Sequence, residues 1–266
     1  MPELPEVETI KRQLEEKILN KEIVEIKINK KNVIKEPDFF EFKKGLEGEE
    51  IEEIIRRAKV LIFRLRKDRF LIIHLRISGW LLYGEEDERA RVIFKFSNGK
   101  YLNYMDQRLL GELRLRRDFR DLKFIRELGP EPFEIREEDF RKIVKSKKGK
   151  IKPLLMDQTI ISGIGNIYAQ EALFRAKISP LRESPSLSDK EISLLYKSIL
   201  EVLKEAIKYR GSSVDAYRDI EGKEGKMEER LKVYGREGKP CFVCKTPIKK
   251  ITLGGRGTCF CPKCQK

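Results

Sequence analysis

The 266-residue sequence lacks the features of a membrane or secreted protein. Its longest apolar stretches, such as FLII and VLIF, fall far short of the roughly 20 apolar residues that a bilayer-spanning helix needs. The N-terminus is acidic and interrupted by proline, without the apolar core of a signal peptide. Internal repeats and low-complexity tracts are absent as well. We therefore expect a cytoplasmic protein with no membrane association, in which structural disulfides are disfavoured.

Histidine and tryptophan occur only once each. A lone histidine at the end of a predicted strand, as His74 is, is more typical of a satisfied structural group than of a catalytic acid or base. Trp80 follows Gly79 near a predicted turn, and we expect it to pack. The sequence therefore offers no histidine-based catalytic centre.

Acidic residues are in the minority, with 44 Asp and Glu against 58 Lys and Arg and a formal net charge of +14. An excess of this size favours a polyanionic partner, with nucleic acid as the first candidate and an anionic membrane surface as the second. The alternative is a thermophile surface, rich in Lys and Glu, that happens to be basic.

The apolar pattern predicts an α+β protein. Residues 5–19 form a predicted helix, since Pro5 suits the first helical position and apolar residues recur at helical spacing. From 22 to 116 apolar and charged residues alternate, which predicts an antiparallel β-sandwich, with Asn98-Gly99 as a hairpin turn. A Gly- and Pro-containing linker over 127–135 precedes a helical region over 137–210. The polar, non-periodic segment 210–226 is predicted to be a mobile loop.

All five cysteines lie near the C-terminus. Two CxxC pairs are separated by sixteen residues, and this spacing lets four thiolates surround one Zn²⁺ tetrahedrally; the predicted ligands are Cys241, Cys244, Cys261 and Cys264. Cys259 is predicted to be a spectator. A closed site of this kind holds a small hairpin in shape and does no chemistry. Residues 210–266 carry half of the net charge, which suits a nucleic-acid backbone, although a protein-contacting zinc ribbon stays possible.

Two further motifs suggest chemistry. If Met1 is removed, Pro2 presents a secondary amine that can attack a sugar or carbonyl carbon, and Glu3 beside it can move protons. The alternative is that Pro2 merely precedes a helix. The GIGNIY turn at 163–168 places backbone amides and Asn166 at a helix start, where phosphate binds well, although glycines also simply make turns.

Taken together, these motifs closely resemble the formamidopyrimidine-DNA glycosylases, the bacterial base-excision enzymes of the helix–two-turn–helix superfamily. The resemblance is colinear over the whole chain and rests on PELPEVET (2–9), RRAK (56–59), HL (74–75), SG (78–79), LLMDQ (154–158), GIGNIYAQEALF (163–174), VYGREGKPC (233–241) and RGTCFCPKCQ (256–265).

The resemblance implies a fold and a partner. An N-terminal helix on a β-sandwich occupies 2–129, a helix–two-turn–helix domain occupies 137–237 with a lesion-covering loop at 210–226, and a zinc finger occupies 238–266. It implies that a monomer binds damaged double-stranded DNA between the domains and needs no cofactor besides one structural Zn²⁺.

The resemblance also implies residue roles. Pro2 is the expected nucleophile, Glu3 the proton carrier, Lys59 the lysine that assists β-elimination, and Arg256 the phosphate-gripping arginine of δ-elimination. The expected DNA contacts are His74, Ile77, Arg91, Arg108, Leu110, Lys148, Lys152 and Asn166.

The sequence departs from the family at the residues that fill the hole left by an everted base. Ile77 stands where relatives have methionine, and Leu110 stands where they have phenylalanine. Arg91 replaces a DNA-contacting histidine, and KMEE at 226–229 replaces a segment usually rich in aromatics and glutamine. We expect an enzyme for oxidised purines such as 8-oxoguanine. The alternatives are an endonuclease VIII-like enzyme for oxidised pyrimidines and a non-catalytic DNA-binding zinc protein.

Overall fold

The computed structural model describes residues 1–214 and 217–266. Residues 215 and 216, which belong to the predicted loop over 210–226, lie outside the described part of the chain. The described residues form two units; the first comprises Met1–Arg126 and Tyr209–Glu228, and the second comprises Glu127–Lys208 and Glu229–Lys266. The described residues of the loop thus group with the first unit, whereas the sequence assigned them to the helical domain.

The first unit combines three helices with nine strands: α1 (Leu4–Ile18), β1 (Ile23–Ile28), β2 (Ile34–Glu36), α2 (Phe39–Leu46), β3 (Ile51–Arg57), β4 (Val60–Leu65), β5 (Arg69–His74), β6 (Gly79–Gly84), β7 (Val92–Phe96), β8 (Tyr101–Asp106), β9 (Glu112–Arg116) and α3 (Lys123–Arg126). Helix α1 begins one residue earlier than predicted. Glu3 caps its first turn, and Pro5 falls within that turn, where a missing N–H is tolerated.

The strands form a four-stranded sheet in the order β1-β7-β8-β6 and a five-stranded sheet in the order β2-β9-β5-β4-β3. Every pairing is antiparallel except that of β2 with β9, which is parallel and was not predicted. The predicted hairpin at Asn98-Gly99 is confirmed as the connection between β7 and β8, and its glycine adopts a φ of 77°. One apolar core contains residues of both sheets and of α1.

The second unit contains helices α4 (Glu137–Ser146), α5 (Ile151–Met156), α6 (Asn166–Arg175) and α7 (Asp189–Lys208) and the hairpin of β10 (Lys249–Leu253) and β11 (Arg256–Phe260). The GIGNIY turn leads directly into α6, as the helix–turn–helix pattern predicts. The 127–135 segment packs within this unit, where the Gly129 amide donates to the Gln158 carbonyl (2.9 Å). The fold is therefore the predicted α+β arrangement, a β-sandwich bearing an N-terminal helix together with a helical region and a cysteine hairpin.

Within the two described ranges, 1–214 and 217–266, none of the helices is long and apolar enough to cross a lipid bilayer.

Candidate functional site

The N-terminal residues are held by a reciprocal cap on helix α1. The Glu3 carboxylate accepts from the Glu6 amide, while the Glu3 amide donates to Glu6 Oε2 at 2.8 Å. Such a capping box satisfies two backbone amides at once and fixes the direction in which the chain enters the helix. Pro2 and Glu3 are both buried here. The cap therefore fixes the backbone that carries the predicted nucleophile and its acid–base partner.

Glu6 also joins the N-terminus to the 210–226 segment. Its Oε1 atom accepts from the Ser212 amide at 2.9 Å. The preceding residue is Gly211, whose φ is +76°, and a Cβ there would lie 2.6 Å from Glu6 Oε1. Farther along, Asp219 accepts from Gln13 of α1 at 3.0 Å. Glu6 was not among the predicted site residues, although the Glu3-x-x-Glu6 spacing is the signature of a capping box.

A cavity of about 360 Å³ opens beside Pro2. Its wall is formed by Pro2, Ile10, Leu75, Ile77, Ser78, Gly79, Trp80, Gln107, Arg108 and Tyr217. Burial, and after it the negative charges of Glu6 and Asp219, raises the pKa of Tyr217 well above its usual value, so its phenol is neutral at physiological pH. The cavity thus combines a mainly apolar wall with the predicted nucleophile, and it brings Pro2, Ile77 and Arg108 to one place.

Lys59 lies in the tight turn that joins β3 to β4. The preceding residue, Ala58, adopts a φ of 52°, a conformation that is costly for residues other than glycine. Arg56 stabilises this turn, because its guanidinium donates both to the Ala58 carbonyl (3.0 Å) and to Glu8 of helix α1 (2.8 Å). Burial raises the pKa of Glu8, but hydrogen bonds and charge from Arg56 and Arg12 lower it overall. Lys59 therefore lies in a turn whose conformation is stabilised by the contacts of Arg56.

His74 is buried at the end of β5 and is neutral. Burial, and after it the positive charge of Arg76, lowers the pKa of His74 to about 3; Glu112 raises this pKa by a smaller amount, and Lys59 has a still smaller lowering effect. Its Nδ1 atom accepts from the Arg76 amide at 3.1 Å, so the proton resides on Nε2. The side chain can thus donate one hydrogen bond but carries no charge.

This burial predicts a pH-dependent stability. The unfolded chain binds a proton at His74 below about pH 6.5, whereas the folded chain binds it only near pH 3, so the free energy of unfolding should fall as the pH drops between those values. The expected loss at pH 5 is about 2 kcal/mol. Urea unfolding of the wild type and of His74→Gln at pH 7 and pH 5 measures it, and parallel pH profiles would contradict the prediction.

The predicted hole-filling residues are exposed, with 47% of Ile77 and 41% of Leu110 accessible to solvent. Both follow strands of the first unit, Ile77 in the turn after β5 and Leu110 in the turn after β8. Arg108 is exposed in the same turn as Leu110. Arg91 precedes β7, and its Nε donates to the Asp106 carbonyl at 2.8 Å.

The second unit carries the other predicted contacts. Lys148 is exposed before α5, and Arg256 is exposed at the tip of the β10–β11 hairpin. Asn166 begins α6, and its side-chain Nδ2 donates to the Gly257 carbonyl of the hairpin at 3.3 Å. Lys152, in contrast, is fully buried and donates to Thr258 Oγ1 at 2.8 Å. This burial has no signal in the sequence, since Lys152 follows a run of exposed lysines.

The four predicted cysteine ligands converge, with their sulfurs within 4.8 Å of one another. Cys241 and Cys264 sulfurs lie 3.9 Å apart, and those of Cys244 and Cys261 lie 3.4 Å apart. Four thiolates about 2.3 Å from one tetrahedral Zn²⁺ would be separated by about 3.8 Å, so the cluster fits the ion. The Val243 and Cys264 amides also donate to cluster sulfurs. The four cysteines form a structural zinc site.

Three sequence families match the chain in order. Residues 1–113 match "Formamidopyrimidine-DNA glycosylase N-terminal domain", residues 128–218 match "Formamidopyrimidine-DNA glycosylase H2TH domain", and residues 238–266 match "Zinc finger found in FPG and IleRS".

Whole proteins and solved structures agree with these matches. The formamidopyrimidine-DNA glycosylase of Pelotomaculum thermopropionicum is 43% identical over 274 residues and that of Listeria innocua 41% over 276, with at least 99% of each chain covered. Lactococcus lactis Fpg in complex with DNA containing an abasic site has a TM-score of 0.91 at 39% identity, with 99% of both chains covered. The same enzyme in complex with Fapy-dG-containing DNA has a TM-score of 0.90 at 39% identity, with 99% of this chain and 100% of that chain covered.

Proposed function

Since this chain belongs to the formamidopyrimidine-DNA glycosylase family and is a base-excision DNA glycosylase, we propose that it excises oxidised purines from duplex DNA with Pro2 as its nucleophile and then cleaves the strand as a lyase. The observation that carries the proposal is the placement of Pro2 in the wall of a cavity, with Glu3 fixed beside it by the helix cap.

The proposed reaction begins with the free Pro2 amine. Its nitrogen attacks C1′ of the damaged nucleotide while the bond from C1′ to the base breaks, and the base departs with a proton. The sugar ring opens to give an iminium ion between Pro2 and C1′, whose positive charge acidifies the C2′ hydrogens. Loss of a C2′ proton expels the 3′ phosphate, and a second elimination expels the 5′ phosphate. Glu3 is proposed to carry protons at the sugar during these steps.

A base inside a duplex cannot present C1′ to an amine, so the nucleotide must be everted at a cost of a few kcal/mol. We propose that Ile77 and Leu110 occupy the vacated space as apolar wedges and that Arg108 contacts the unpaired opposite strand. The exposure of Ile77 and Leu110 supports this role, as does the place of Ile77 and Arg108 in the wall of the Pro2 cavity. The described residues of the 210–226 loop, tied to Glu6, are proposed to cover the everted base.

Phosphate contacts are assigned by charge. We propose Lys59, Arg91, Lys148 and Arg256 as cationic contacts, with Lys59 and Arg256 also assisting the two eliminations. Lys148 and Arg256 are exposed, Arg91 is half-buried and Lys59 is buried. His74 and Asn166 would donate as neutral groups. Lys152 is buried under the hairpin, so we propose that it serves DNA binding by holding the strand that follows Arg256.

We further propose that a single chain is sufficient for activity. One chain carries the nucleophile, the wedges and the zinc hairpin, so we expect a monomer that works on DNA in the cytoplasm.

Borohydride trapping tests the proposal. The mature protein is incubated with duplexes carrying 8-oxoguanine, a formamidopyrimidine or thymine glycol, and borohydride then reduces the iminium to a stable amine. We expect a covalent adduct whose peptide end is Pro2, formed fastest with the purine lesions. Faster trapping on thymine glycol would identify an enzyme for oxidised pyrimidines. Binding without any adduct would identify a non-catalytic DNA-binding protein.

A further inference from the structure

Two turns of the first unit combine exposed apolar side chains with strained backbone. The turn after β5 carries Ile77, and the turn after β8 carries Leu110. In each turn the residue immediately before the apolar one, Arg76 (φ 53°) or Leu109 (φ 54°), adopts a left-handed conformation. Residues other than glycine hold this conformation only when the surrounding structure enforces it. Both turns therefore need an anchor.

The anchor common to both turns is the carboxylate of Asp106, whose side chain is only 1% exposed. Its Oδ1 atom accepts from Ser78 Oγ (2.6 Å) and from the Arg108 amide (3.2 Å). Its Oδ2 atom accepts from the Gly111 amide (2.7 Å) and from the Tyr104 hydroxyl (3.2 Å). One carboxylate thus holds a residue next to Ile77 and two residues that bracket Leu110.

Glycines let the two turns close around this carboxylate. A Cβ on Gly111 would lie 1.8 Å from the Tyr104 hydroxyl, and a Cβ on Gly79 would lie 3.0 Å from it and 2.6 Å from the Leu75 carbonyl. Burial, and after it the charge of Asp106, raises the pKa of Tyr104, so its hydroxyl stays a neutral donor. Tyr104 fills the space between the turns.

Arg91 is attached to the same point, because its guanidinium donates to the Asp106 carbonyl and its amide donates to the Tyr104 carbonyl (2.7 Å). The Ile77 turn, the Leu110 turn and Arg91, all of which are proposed to contact DNA, are therefore held together at Tyr104 and Asp106.

We propose that Asp106 is a positioning residue that fixes the Ile77 turn and the Leu110 turn relative to each other, so that both side chains enter the duplex as one preformed wedge. This inference rests on the proposed function, since it assigns the mechanism by which the hole is filled. Preforming the wedge removes the need to order two separate turns at the moment of base eversion.

Two substitutions separate the parts of this anchor. In Asp106→Asn one oxygen becomes an NH₂ group, so in either orientation of the amide the Arg108 or the Gly111 amide faces a donor and loses its acceptor. Ser78→Ala removes only the link to the Ile77 turn and leaves the contacts of the Leu110 turn in place. Asp118→Asn is the matched control, because Asp118 accepts from the amide two residues ahead, at Arg120, in an exposed turn outside the wedge.

Insertion is measured with 2-aminopurine opposite a tetrahydrofuran abasic analogue, at saturating protein. This analogue cannot form the iminium, so the measurement does not depend on Pro2 chemistry, and failure of the proposed nucleophile is distinguishable from failure of this inference. We expect the fluorescence change on binding to be largely lost in Asp106→Asn, reduced in Ser78→Ala and retained in Asp118→Asn.

Activity on an 8-oxoguanine duplex gives the second measurement. We expect kcat/KM to fall about 100-fold in Asp106→Asn, as a misplacement of about 1 Å can cause, and about tenfold in Ser78→Ala, as loss of one hydrogen bond to a carboxylate implies. The loss should be much smaller on a single-stranded abasic oligonucleotide, which has no stack to fill.

A double-mutant cycle excludes a merely structural role. The effect of Ser78→Ala should disappear in an Ile77→Ala background if Ser78 acts through that side chain. Additive effects, an unchanged 2-aminopurine signal in Asp106→Asn, or equal losses on single-stranded and duplex substrates would overturn the proposal.

Discussion

Protein that retains Met1 should bind abasic-analogue DNA but should lose base excision and strand cleavage by about a thousandfold or more, since loss of a catalytic nucleophile costs at least that order. The reason is covalent: with Met1 attached, the Pro2 nitrogen belongs to an amide, its lone pair is delocalised, and it cannot form an iminium. An α-amino group with a pKa of about 8, in contrast, is partly neutral at physiological pH.

A matched pair of samples makes this test sharp. Protein expressed while methionine aminopeptidase is inhibited is assayed before and after treatment with the purified aminopeptidase, and intact-mass spectrometry records the N-terminus each time. Treatment should restore activity and borohydride trapping together. Full activity in material that still carries Met1 would refute Pro2 as the nucleophile.

Removal of zinc should unfold the β10–β11 hairpin and weaken DNA binding about tenfold or more, as expected if charged hydrogen bonds such as those proposed for Arg256 are lost. The apolar cluster around the cysteines is small, comprising Phe174, Val233, Ile248 and Cys259 beside the ligands. Binding of structural zinc contributes about 10–16 kcal/mol to the folding free energy of zinc-finger peptides, far more than burial of such a cluster supplies. Cys261→Ser should therefore lose both metal and affinity.

The fifth cysteine provides the control for this prediction. Cys259 is buried beside the site but is not one of the four converging ligands, so Cys259→Ser should retain one zinc per chain and near-normal DNA affinity. Metal content by mass spectrometry and binding by fluorescence anisotropy check both variants. Unchanged affinity in verified metal-free Cys261→Ser protein would contradict the prediction.

Local patterns carried most of what could be predicted. The zinc ligands are recognisable because a CxxC pair sets its own geometry within four residues, and the start of α1 is recognisable from proline and glutamate at its first turn. The β7–β8 hairpin followed from Asn98-Gly99 for the same reason, because the turn conformation depends on the glycine itself.

Features that depend on distant residues could not be predicted. Lys152 looks like another surface lysine, and only Thr258, 106 positions later, reveals its burial. The grouping of the 210–226 segment with the first unit depends on Glu6 and Gln13, some 206 residues away. Asp106 stands in a recognisable DQRLLG stretch, but its contact with Ser78 arises from the pairing of β6 with β8 and has no sequence signature.

The contacts beneath the zinc hairpin limit how freely this module can be exchanged. Gln170 of α6 accepts from the Cys259 amide at 2.6 Å and donates to the Gly257 carbonyl, and Lys152 reaches Thr258 between them. A chimaera that imported only residues 238–266 from another protein would contain the metal ligands but not the matching Gln170 and Lys152 contacts that support the hairpin. Grafting or domain shuffling in this family must therefore transfer α5 and α6 together with the hairpin as one unit.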